Sequence, residues 1–476
     1  MSWAWTWKCT PAASRASALP AGGDRVFDVY LYDARIGTLT PRGRGVRFAY
    51  TDEALANDRL PALSLSLPKR AVPFPDSAAG PFFRNLLPEQ AFRRLVAAAA
   101  GTAPENSVAL LGAIGGECPG AVSIWPADSG PPSRPEYEAL DPGDLLALFA
   151  PANRDALANA VTRGRLSLAG AQEKIALLRD GTGKWHLPLK GAVTSHILKQ
   201  ATADFAHILE NELLCTTLAR ECGLIVPLVG LAAPGVRVFC TERFDRPLPA
   251  QPDGNRRDKL HQEDFCQVSG VNPEQKYQRD GGPGVRKCAA VIRRYSGLPA
   301  EDLVRFIRWV GFNYLIGNED AHAKNLALLY LPEGLRLAPH YDLLSTEVYA
   351  NLRRELAMKL GGAWDIRKVQ RNDWLRLARA VDVPWAAVRA ALLELAGNLQ
   401  AATAGAVSAG EADFGPSPIY GQIAAIIARH TASLEQAIGV REGEPTRRVG
   451  NGLTRCQPVT MSSAAGSGAT AGRLTL

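Results

Sequence analysis

The stretch LIGNEDAHAKNLALLY, residues 315–330, places a short polar segment between two apolar runs. The polar segment contains Asp320 and Asn325, and the run LALLY directly after Asn325 has the pattern of a strand. A turn and a second apolar run follow over residues 331–339, before Asp342. Because a β-hairpin returns the chain to near its start, we expect Asn325 and Asp342 to lie side by side.

This layout is the one that phosphoryl transfer requires. One carboxylate takes the proton of the attacking hydroxyl, while a second carboxylate and an amide oxygen hold Mg²⁺ on the phosphates of ATP. The spacing Asp-x₄-Asn also matches the catalytic loop of protein kinases. Since that spacing also arises by chance, a polar turn is the alternative, but the Asp behind the hairpin favours catalysis. We predict Asp320 as the proton acceptor, Asn325 and Asp342 as metal ligands, and ATP and Mg²⁺ as cofactors.

The remaining polar residues of the loop allow two interpretations each. His322 either orders the loop and helps to place phosphates, or it is an ordinary structural histidine. Lys324 either neutralises charge on the γ-phosphate, or it is a loop polar residue. The residues alone do not decide between these roles.

Two upstream segments have the features of phosphate clamps. The stretch SLAGAQEK joins two predicted strands through Gly170, where backbone N–H groups can cradle phosphate, although a simple turn has the same pattern. The stretch SHILK puts Lys199 at the end of an apolar strand before a helix, the position of a kinase phosphate-pairing lysine. We expect a Glu of that helix as its partner, either Glu210 or, preferably, Glu212. A solvated lysine at a strand end is the alternative.

A candidate adenine site follows in CTERFDR, residues 240–246. This stretch ends a predicted hairpin, and its backbone at Glu242–Phe244 is placed to bind adenine as a hinge does. A salt-bridged strand end is the alternative interpretation.

Composition limits the class of protein. The 476 residues are 46% hydrophobic and 21% charged, which is ordinary for soluble globular chains. No run approaches the roughly 18 apolar residues that a membrane helix needs, so we expect no membrane partner. The net charge of +7 favours acidic partners such as nucleic acid and phosphates. The eight cysteines lack a C-x-x-C pair, which predicts buried free thiols in a reducing, cytoplasmic compartment.

Periodicity predicts a β-rich part followed by a helical part. Alternating residues at 26–50 predict a small antiparallel sheet that continues through 63–68, and helical spacing covers 82–100. A strong amphipathic helix is predicted at 204–224. The predicted segments are a disordered extension (1–25), an α+β module (26–126), a linker and helix (127–164), a β-rich region with the nucleotide loop (165–245), a helical region with the catalytic loop (246–440) and a disordered tail (441–476).

Ten stretches together resemble the HipA family of toxin kinases over roughly residues 26–400. They are FFRNLLPE, IGGECPGAV, RLSLAGAQEKIALL, HILK, NELLCTTLARECGL, ERFDR, HQEDFCQVSG, KYQRDGG, GNEDAHAKNLAL and PHYDLLST. The resemblance is specific because these motifs occur in the family's order. It implies a serine/threonine protein kinase with an α+β, two-lobed fold related to phosphoinositide kinases, preceded by an N-terminal α+β module and ending in a largely helical lobe.

The resemblance also implies roles for individual residues. Asp320 is the proton acceptor, and Ser167 matches the family's autophosphorylation serine. A phosphate there adds about −1.5 to −2 charges beside a loop that receives ATP phosphates, which implies self-inactivation. By motif, the residues that contact nucleotide or metal are Ala169, Gly170, Ala171, Gln172, Glu173, Lys174, Lys199, Glu242, Arg243, Phe244, His322, Ala323, Lys324, Asn325, Tyr341 and Asp342.

Partners follow from the same resemblance. It implies a HipB-like helix-turn-helix antitoxin, operator DNA bound by the complex, and an aminoacyl-tRNA synthetase substrate, especially the glutamyl enzyme. Arg367, Lys368 and Arg371 are candidate DNA contacts, with a solvated helix face as the alternative. Two other functions stay open: a small-molecule phosphotransferase, which shares the Asp-x₄-Asn loop, and a catalytically silent partner of a DNA-binding repressor.

Overall fold

The computed structural model describes residues 25–43, 45–150, 154–201, 204–233, 236–247 and 259–439. The segments 1–25 and 441–476, for which the sequence predicts disorder, lie outside these ranges apart from Arg25.

The N-terminal part is a four-stranded antiparallel sheet with helices packed on it. Residues 26–50 form the predicted antiparallel strands, and in the sheet the order of strands is 45–50, 34–42, 27–31 and 122–126. The strands are β1 (Phe27–Leu31), β2 (Ala34–Arg42), β3 (Gly45–Tyr50) and β4 (Val122–Pro126). The helices are α1 (Asp52–Ala56), α2 (Asp76–Arg84), α3 (Gln90–Ala99) and α4 (Ser107–Ile114).

Two predictions for this module are wrong in detail. Residues 63–68 form no strand of the sheet, because Leu67 turns back to bridge Ser64, whose hydroxyl bonds the carboxylate of Glu263. The predicted helix at 82–100 is broken over residues 85–89. Pro88 lacks the N–H that a continuing helix needs, and it bridges Gly170 instead.

The middle of the chain forms a six-stranded sheet in the order β5-β7-β6-β8-β10-β9. Its edge strand β5 comes from the stretch predicted as linker, because Glu136–Leu140 pairs antiparallel with β7. The strands are β5 (Glu136–Leu140), β6 (Lys174–Arg179), β7 (Trp185–Leu189), β8 (His196–Lys199), β9 (Val229–Ala233) and β10 (Val236–Glu242). The associated helices are α5 (Pro142–Leu148), α6 (Arg154–Gly164) and α7 (Ile208–Glu221), the last within the predicted range 204–224.

The C-terminal lobe is largely helical and carries a three-stranded sheet in the order β11-β12-β13. Its strands are β11 (His261–Asp264), β12 (Ala327–Leu331) and β13 (Gly334–Leu337). Its helices are α8 (Phe265–Ser269), α9 (Val285–Tyr295), α10 (Pro299–Leu315), α11 (Arg371–Val381), α12 (Trp385–Phe414) and α13 (Pro418–Ile438).

Two large cores hold these parts together. One contains the apolar faces of the C-terminal helices, including the fully buried Phe312 and Leu392. The other joins the N-terminal module to the six-stranded sheet, since Phe83 and Leu177 belong to the same buried cluster. The N-terminal module is therefore packed against the six-stranded sheet, which forms the small lobe, along a continuous apolar surface.

The fold confirms the predicted α+β, two-lobed architecture. The six described cysteines are free and buried, as predicted, while Cys9 and Cys456 lie outside the described ranges. In the described part of the chain, every helix is too short or too polar to cross a bilayer.

Candidate active site

A pocket of about 1410 Å³ lies between the six-stranded sheet and the helical lobe. It brings together the nucleotide loop 169–174, Lys199, the hinge Glu242–Phe244 and the loop that carries Asp320. The hairpin residues Tyr341 and Asp342 complete its wall. Two predicted residues do not line it: Ala323 and Ser167 are both fully buried beneath the surface.

The hairpin of β12 and β13 confirms the predicted contact between Asn325 and Asp342. The two strands pair antiparallel with Leu328 opposite Leu337, which returns the chain to the catalytic loop. The Asn325 Nδ2 donates to Asp342 Oδ2 at 3.1 Å. Asp342 takes a left-handed backbone conformation, with φ of 58°, which directs it out of the line of the strand.

The Asn325–Asp342 pair fits a magnesium ion. Asn325 Oδ1 is a buried oxygen without a hydrogen-bond partner among the described residues, so it is free to bind a cation. Burial alone would raise the pKa of Asp342, but Lys199 and Lys174 lower it below its ordinary value, which keeps the carboxylate ionised. Mg²⁺ takes one or two carboxylates and completes its shell with phosphate and water. Among the described residues, no cluster of three or more His, Cys, Asp or Glu side chains is placed to hold a metal ion.

The predicted contact between Lys199 and a Glu of the following helix is present. Lys199 on β8 donates to Glu212 Oε1 at 2.6 Å and to Asp342 Oδ1 at 3.1 Å. Burial opposes the charge of Lys199, but these two carboxylates raise its pKa, so it stays an ammonium. The alternative partner, Glu210, pairs with Arg237 instead. The preference for Glu212 is therefore confirmed as a contact.

A second lysine faces the same place. Lys174 on β6 lies opposite Lys199 across the antiparallel pair β6–β8. Burial and the neighbouring charge of Lys199 lower the pKa of Lys174 to about 8. Its Nζ donates to the carbonyl of Ala169 at 3.1 Å, so this lysine also supports the nucleotide loop.

The nucleotide loop needs glycine at position 170. Gly170 has a φ of 106°, and a Cβ there would lie 2.6 Å from Lys174 Nζ. The Gly170 carbonyl accepts a hydrogen bond from the backbone N–H of Glu89 at 3.0 Å. Next to it, Gln172 bonds the carbonyl of Gln200, which ties the loop to the end of β8. The N-terminal module and the sheet thus hold the loop from both sides.

At the predicted adenine site, the aromatic ring of Phe244 is the side chain placed to contact a ligand. Phe244 stacks on Tyr341 with ring centroids 5.5 Å apart, and both line the pocket. The side chain of Arg243 points into a buried cluster, where it contacts Asp245 at 2.8 Å and Glu117 at 3.3 Å. Any contact of Arg243 with a nucleotide is therefore limited to its backbone.

Asp320 lies in the pocket wall with its carboxylate bound to a tyrosine. Tyr277 donates its hydroxyl to Asp320 Oδ1 at 2.8 Å, and Asn318 Oδ1 accepts the Asp320 backbone N–H at 3.0 Å. His322 is buried and meets the Tyr277 ring edge-on at 5.5 Å. Burial lowers the pKa of His322 to about 4, so the imidazole is neutral at physiological pH. The Tyr277 ring orients this histidine, which also lines the pocket.

Lys324 contacts the N-terminal module. Its Nζ donates to Asn85 Oδ1 at 2.8 Å and lies 3.2 Å from Glu89 Oε1. Its carbonyl accepts the Tyr341 hydroxyl at 2.6 Å. Since the Lys324 side chain is only 6% exposed and its ammonium is already paired, the geometry favours loop positioning over a contact with the γ-phosphate.

Ser167 lies under the nucleotide loop, fully buried. Its hydroxyl donates to the carbonyl of Leu86 at 2.7 Å, and its N–H donates to the carbonyl of Glu117 at 2.8 Å. In this conformation the hydroxyl cannot meet a phosphate donor.

Sequence reasoning missed four residues that shape the site: Asn85, Glu89, Glu117 and Tyr277. Each lies in a stretch quoted for the family resemblance, FFRNLLPE, IGGECPGAV or KYQRDGG, but none was assigned a role. Their partners are far away in sequence, so no local periodicity marks them.

Known proteins share sequence and fold with this chain. A family model described as the HipA-like C-terminal domain matches residues 166–403, and one described as the HipA N-terminal domain matches residues 27–125. The putative kinase Y4mE of Sinorhizobium fredii is 37% identical over 388 residues, which are 80% of this chain and 91% of that protein.

Two further matches come from Shewanella oneidensis. Its serine/threonine-protein kinase toxin HipA is 29% identical over 297 residues, 60% of this chain and 67% of that protein. A solved chain from the complex of HipA, HipB and operator DNA superposes with a TM-score of 0.70 at 22% identity, covering 87% of this chain and 96% of that one. This superposition shows a shared fold.

Proposed function

Because the chain belongs to the HipA family, we propose that it is an ATP-dependent serine/threonine protein kinase and the toxin of a toxin–antitoxin module. One observation carries the proposal. Glu212, Lys199, Asp342 and Asn325 form a continuous chain of contacts of 2.6, 3.1 and 3.1 Å that ends at an open amide oxygen, in the same pocket as Asp320.

In the proposed reaction, Asp320 accepts the proton of a serine or threonine hydroxyl. The freed oxygen attacks the γ-phosphorus of ATP, the bond from phosphorus to the bridging oxygen breaks, and ADP leaves with that electron pair. Lys199 and Lys174 supply positive charge to the phosphates. Asn325 and Asp342 would hold Mg²⁺, which neutralises the charge that develops on the phosphates.

The substrate proposal rests on the family. We propose an aminoacyl-tRNA synthetase, the glutamyl enzyme first, whose phosphorylation would block tRNA charging and arrest growth. Mass spectrometry of phosphopeptides from cells that express either wild type or Asp320→Gln tests this. A synthetase phosphopeptide present only with wild type supports it, and wild-type phosphopeptides solely from other proteins would overturn it.

Autophosphorylation at Ser167 is part of the proposal and has a structural consequence. The Ser167 hydroxyl is fully buried, so it becomes an acceptor only after the segment leaves its site. A phosphate of about −1.5 to −2 charges cannot return to that apolar place without a partner. We therefore expect phosphorylation to keep the nucleotide loop away from the pocket and to switch the enzyme off.

For operator DNA we propose a basic surface on α9 and α11, which pack together. Its exposed side chains are Arg286, Lys287, Arg293, Arg294, Arg371, Arg376 and Arg379. Of the earlier candidates, Arg371 belongs to this surface, whereas Arg367 and Lys368 pair with Asp365 at 2.9 and 3.8 Å. Arg367 and Lys368 precede α11 and are not part of this surface.

The test uses the complex with the helix-turn-helix antitoxin that we expect from a neighbouring reading frame. Arg376→Glu should weaken binding to the operator duplex and lower its salt dependence, because phosphate contacts release counterions. Arg220→Glu on α7 is the control. Equal salt slopes for wild type and Arg376→Glu would overturn the DNA surface.

The test of the kinase itself is phosphotransfer from γ-labelled ATP with Mg²⁺. Wild type should label itself at Ser167 and label serine or threonine peptides of a library, and Asp320→Gln should label neither. Transfer only to small hydroxyl compounds would favour a small-molecule phosphotransferase. ATP binding without any transfer would favour a silent partner of the repressor.

A further inference from the structure

The catalytic loop has an unassigned partner in Tyr277. This residue lies in KYQRDGG, between the short turns 273–275 and 278–280 and far in sequence from the loop it contacts. Its hydroxyl donates to Asp320 Oδ1 at 2.8 Å, and the pair lies in the pocket wall. In the described part of the chain, this hydroxyl is the single hydrogen-bond donor to the Asp320 carboxylate.

We propose that Tyr277 is a positioning residue for the catalytic base: it holds one oxygen of Asp320 so that the other faces the acceptor hydroxyl. The inference rests on the proposed kinase function and deepens it, because it assigns the group that sets the orientation of the base. Asp320 would keep its role as proton acceptor, and Tyr277 would touch neither nucleotide nor acceptor.

The backbone around Asp320 is fixed, which leaves the carboxylate rotation as the remaining freedom. Asn318 Oδ1 accepts the Asp320 N–H at 3.0 Å, and Asn318 Nδ2 donates to Asn313 at 2.7 Å. Carboxylate oxygens that lack a partner sample several rotations, so one short bond from a rigid donor selects among them.

Tyr277 is such a rigid donor. The N–H of Gln278 bonds the carbonyl of Ala357 at 2.9 Å, and Lys276 on the other side pairs with Glu89 at 2.9 Å. The ring packs edge-on against His322. Burial and the Asp320 charge raise the pKa of Tyr277, so its hydroxyl keeps the proton that it donates.

The competing explanation is autoinhibition. A hydroxyl 2.8 Å from the catalytic carboxylate has the position expected for the acceptor itself, and in this explanation Tyr277 is displaced before a protein substrate binds. The two roles predict opposite effects when the hydroxyl is removed. Positioning predicts slower transfer, and autoinhibition predicts faster transfer or a lower KM for the acceptor.

The experiment compares full-length wild type with Tyr277→Phe, which keeps the ring against His322. The readouts are kcat for transfer to a peptide of the library, KM for that peptide, KM for ATP and thermal stability. Tyr420→Phe is the matched control, because its hydroxyl donates to the carbonyl of Gly410 in α12 and Tyr420 does not line the pocket.

We expect kcat of Tyr277→Phe to fall about tenfold or more, since a hydrogen bond to a charged group is among the stronger ones. KM for ATP should stay within about twofold of the wild-type value, because the variant keeps the residues proposed to bind ATP. A Tyr277→Leu variant that falls further would show that the ring contributes as well.

Each outcome decides a different claim. Unchanged or faster transfer by Tyr277→Phe overturns the positioning role, and faster transfer points to autoinhibition. If Tyr277→Phe loses ATP affinity and thermal stability together with kcat, the tyrosine is merely structural and the positioning role is overturned. No transfer by wild type overturns the proposed kinase function and, with it, this inference.

Discussion

The carboxylate of Glu89 lies 3.2 Å from the ammonium of Lys324, so a residue of the N-terminal module reaches the catalytic loop. Its other oxygen contacts Lys276 at 2.9 Å, and its N–H bonds the carbonyl of Gly170. Burial alone would raise the pKa of Glu89, but Lys324 and Lys276 lower it to about 2. Three segments of the site therefore meet at one residue of the N-terminal module: two at its carboxylate and the nucleotide loop at its backbone N–H.

We predict that Glu89→Gln destabilises the protein and slows phosphotransfer. Two buried ammonium groups would lose their counter-charge, and breaking a buried pair costs roughly 3–5 kcal/mol. Because Asp264 lies 3.7 Å from Lys324 and remains, we expect the lower end, about 3 kcal/mol. Denaturant unfolding and the labelling assay measure both effects.

The control for Glu89 is Glu136→Gln. Glu136 pairs with Lys190 at 2.7 Å, but its side chain is 49% exposed, so its loss should cost under about 1 kcal/mol. Equal stability and equal activity of Glu89→Gln and wild type would mean that the N-terminal module does not position the catalytic loop.

The open oxygen of Asn325 predicts how ATP binding responds to magnesium. In wild type, Mg²⁺ should strengthen ATP binding relative to buffer with a chelator. Asn325→Ala should lose most of this gain and keep most of its affinity in chelator, because it removes the metal ligand and one bond to Asp342, which Lys199 still holds. Titration of a fluorescent ATP analogue measures both affinities, with the exposed cap variant Asn106→Ala as control. A full magnesium response in Asn325→Ala would exclude Asn325 as a ligand.

The contacts that sequence reasoning predicted are those that a local motif determines. A hairpin places Asn325 beside Asp342, and a strand followed by a helix places Lys199 beside Glu212. In each case the intervening element has a regular length, so its geometry follows from the pattern of residues. The Asn325–Asp342 and Lys199–Glu212 contacts of the candidate pocket could be predicted from such units.

The contacts that it missed join segments with no regular element between them. Asn85 and Lys324 are 239 positions apart, and Ser167 is buried by Leu86 of the N-terminal module. Such pairs depend on how two domains dock, and docking depends on surface shape rather than on periodicity. For the same reason the sequence could not predict that the Lys324 ammonium contacts Asn85 and Glu89 of the N-terminal module.

Lys174 predicts a pH limit for nucleotide binding. Its pKa of about 8 lies below the ordinary value because of burial and Lys199, while Asp342, Glu212 and Glu89 act in the opposite direction. The ATP phosphates are attracted by the charged form of Lys174, so ATP binding favours its ammonium. The affinity for ATP should therefore be constant below pH 8 and fall above it, by up to about tenfold per pH unit. Lys174→Arg, which stays charged, should remove the dependence. Calorimetry at pH 9 in buffers of different ionisation enthalpy should detect proton uptake, and its absence would refute the assignment.

Glu117 predicts how the protein responds to acid. Its fully buried carboxylate contacts Lys259 at 2.5 Å, Arg246 at 2.9 Å and Arg243 at 3.3 Å, beneath the hinge. Burial alone would raise its pKa, but these three cations lower it from 4.5 to about 2. A lowered pKa means that the folded state binds the proton less well than the unfolded state. The stabilisation is therefore complete above pH 4.5 and is lost as the pH falls toward 2.

We expect Glu117→Gln to lower the free energy of unfolding at pH 7 by roughly 3–5 kcal/mol, because Lys259 loses its counter-charge while Arg243 and Arg246 are left to share Asp245. The gap between wild type and variant should narrow as the pH falls from 4.5 toward 2, since wild type then loses the same charge. Denaturant unfolding at pH 7, 5, 4 and 3 measures this gap, with Glu136→Gln as the exposed control. A gap that stays constant from pH 7 to pH 3 would show that Glu117 stabilises the hinge by shape rather than by charge.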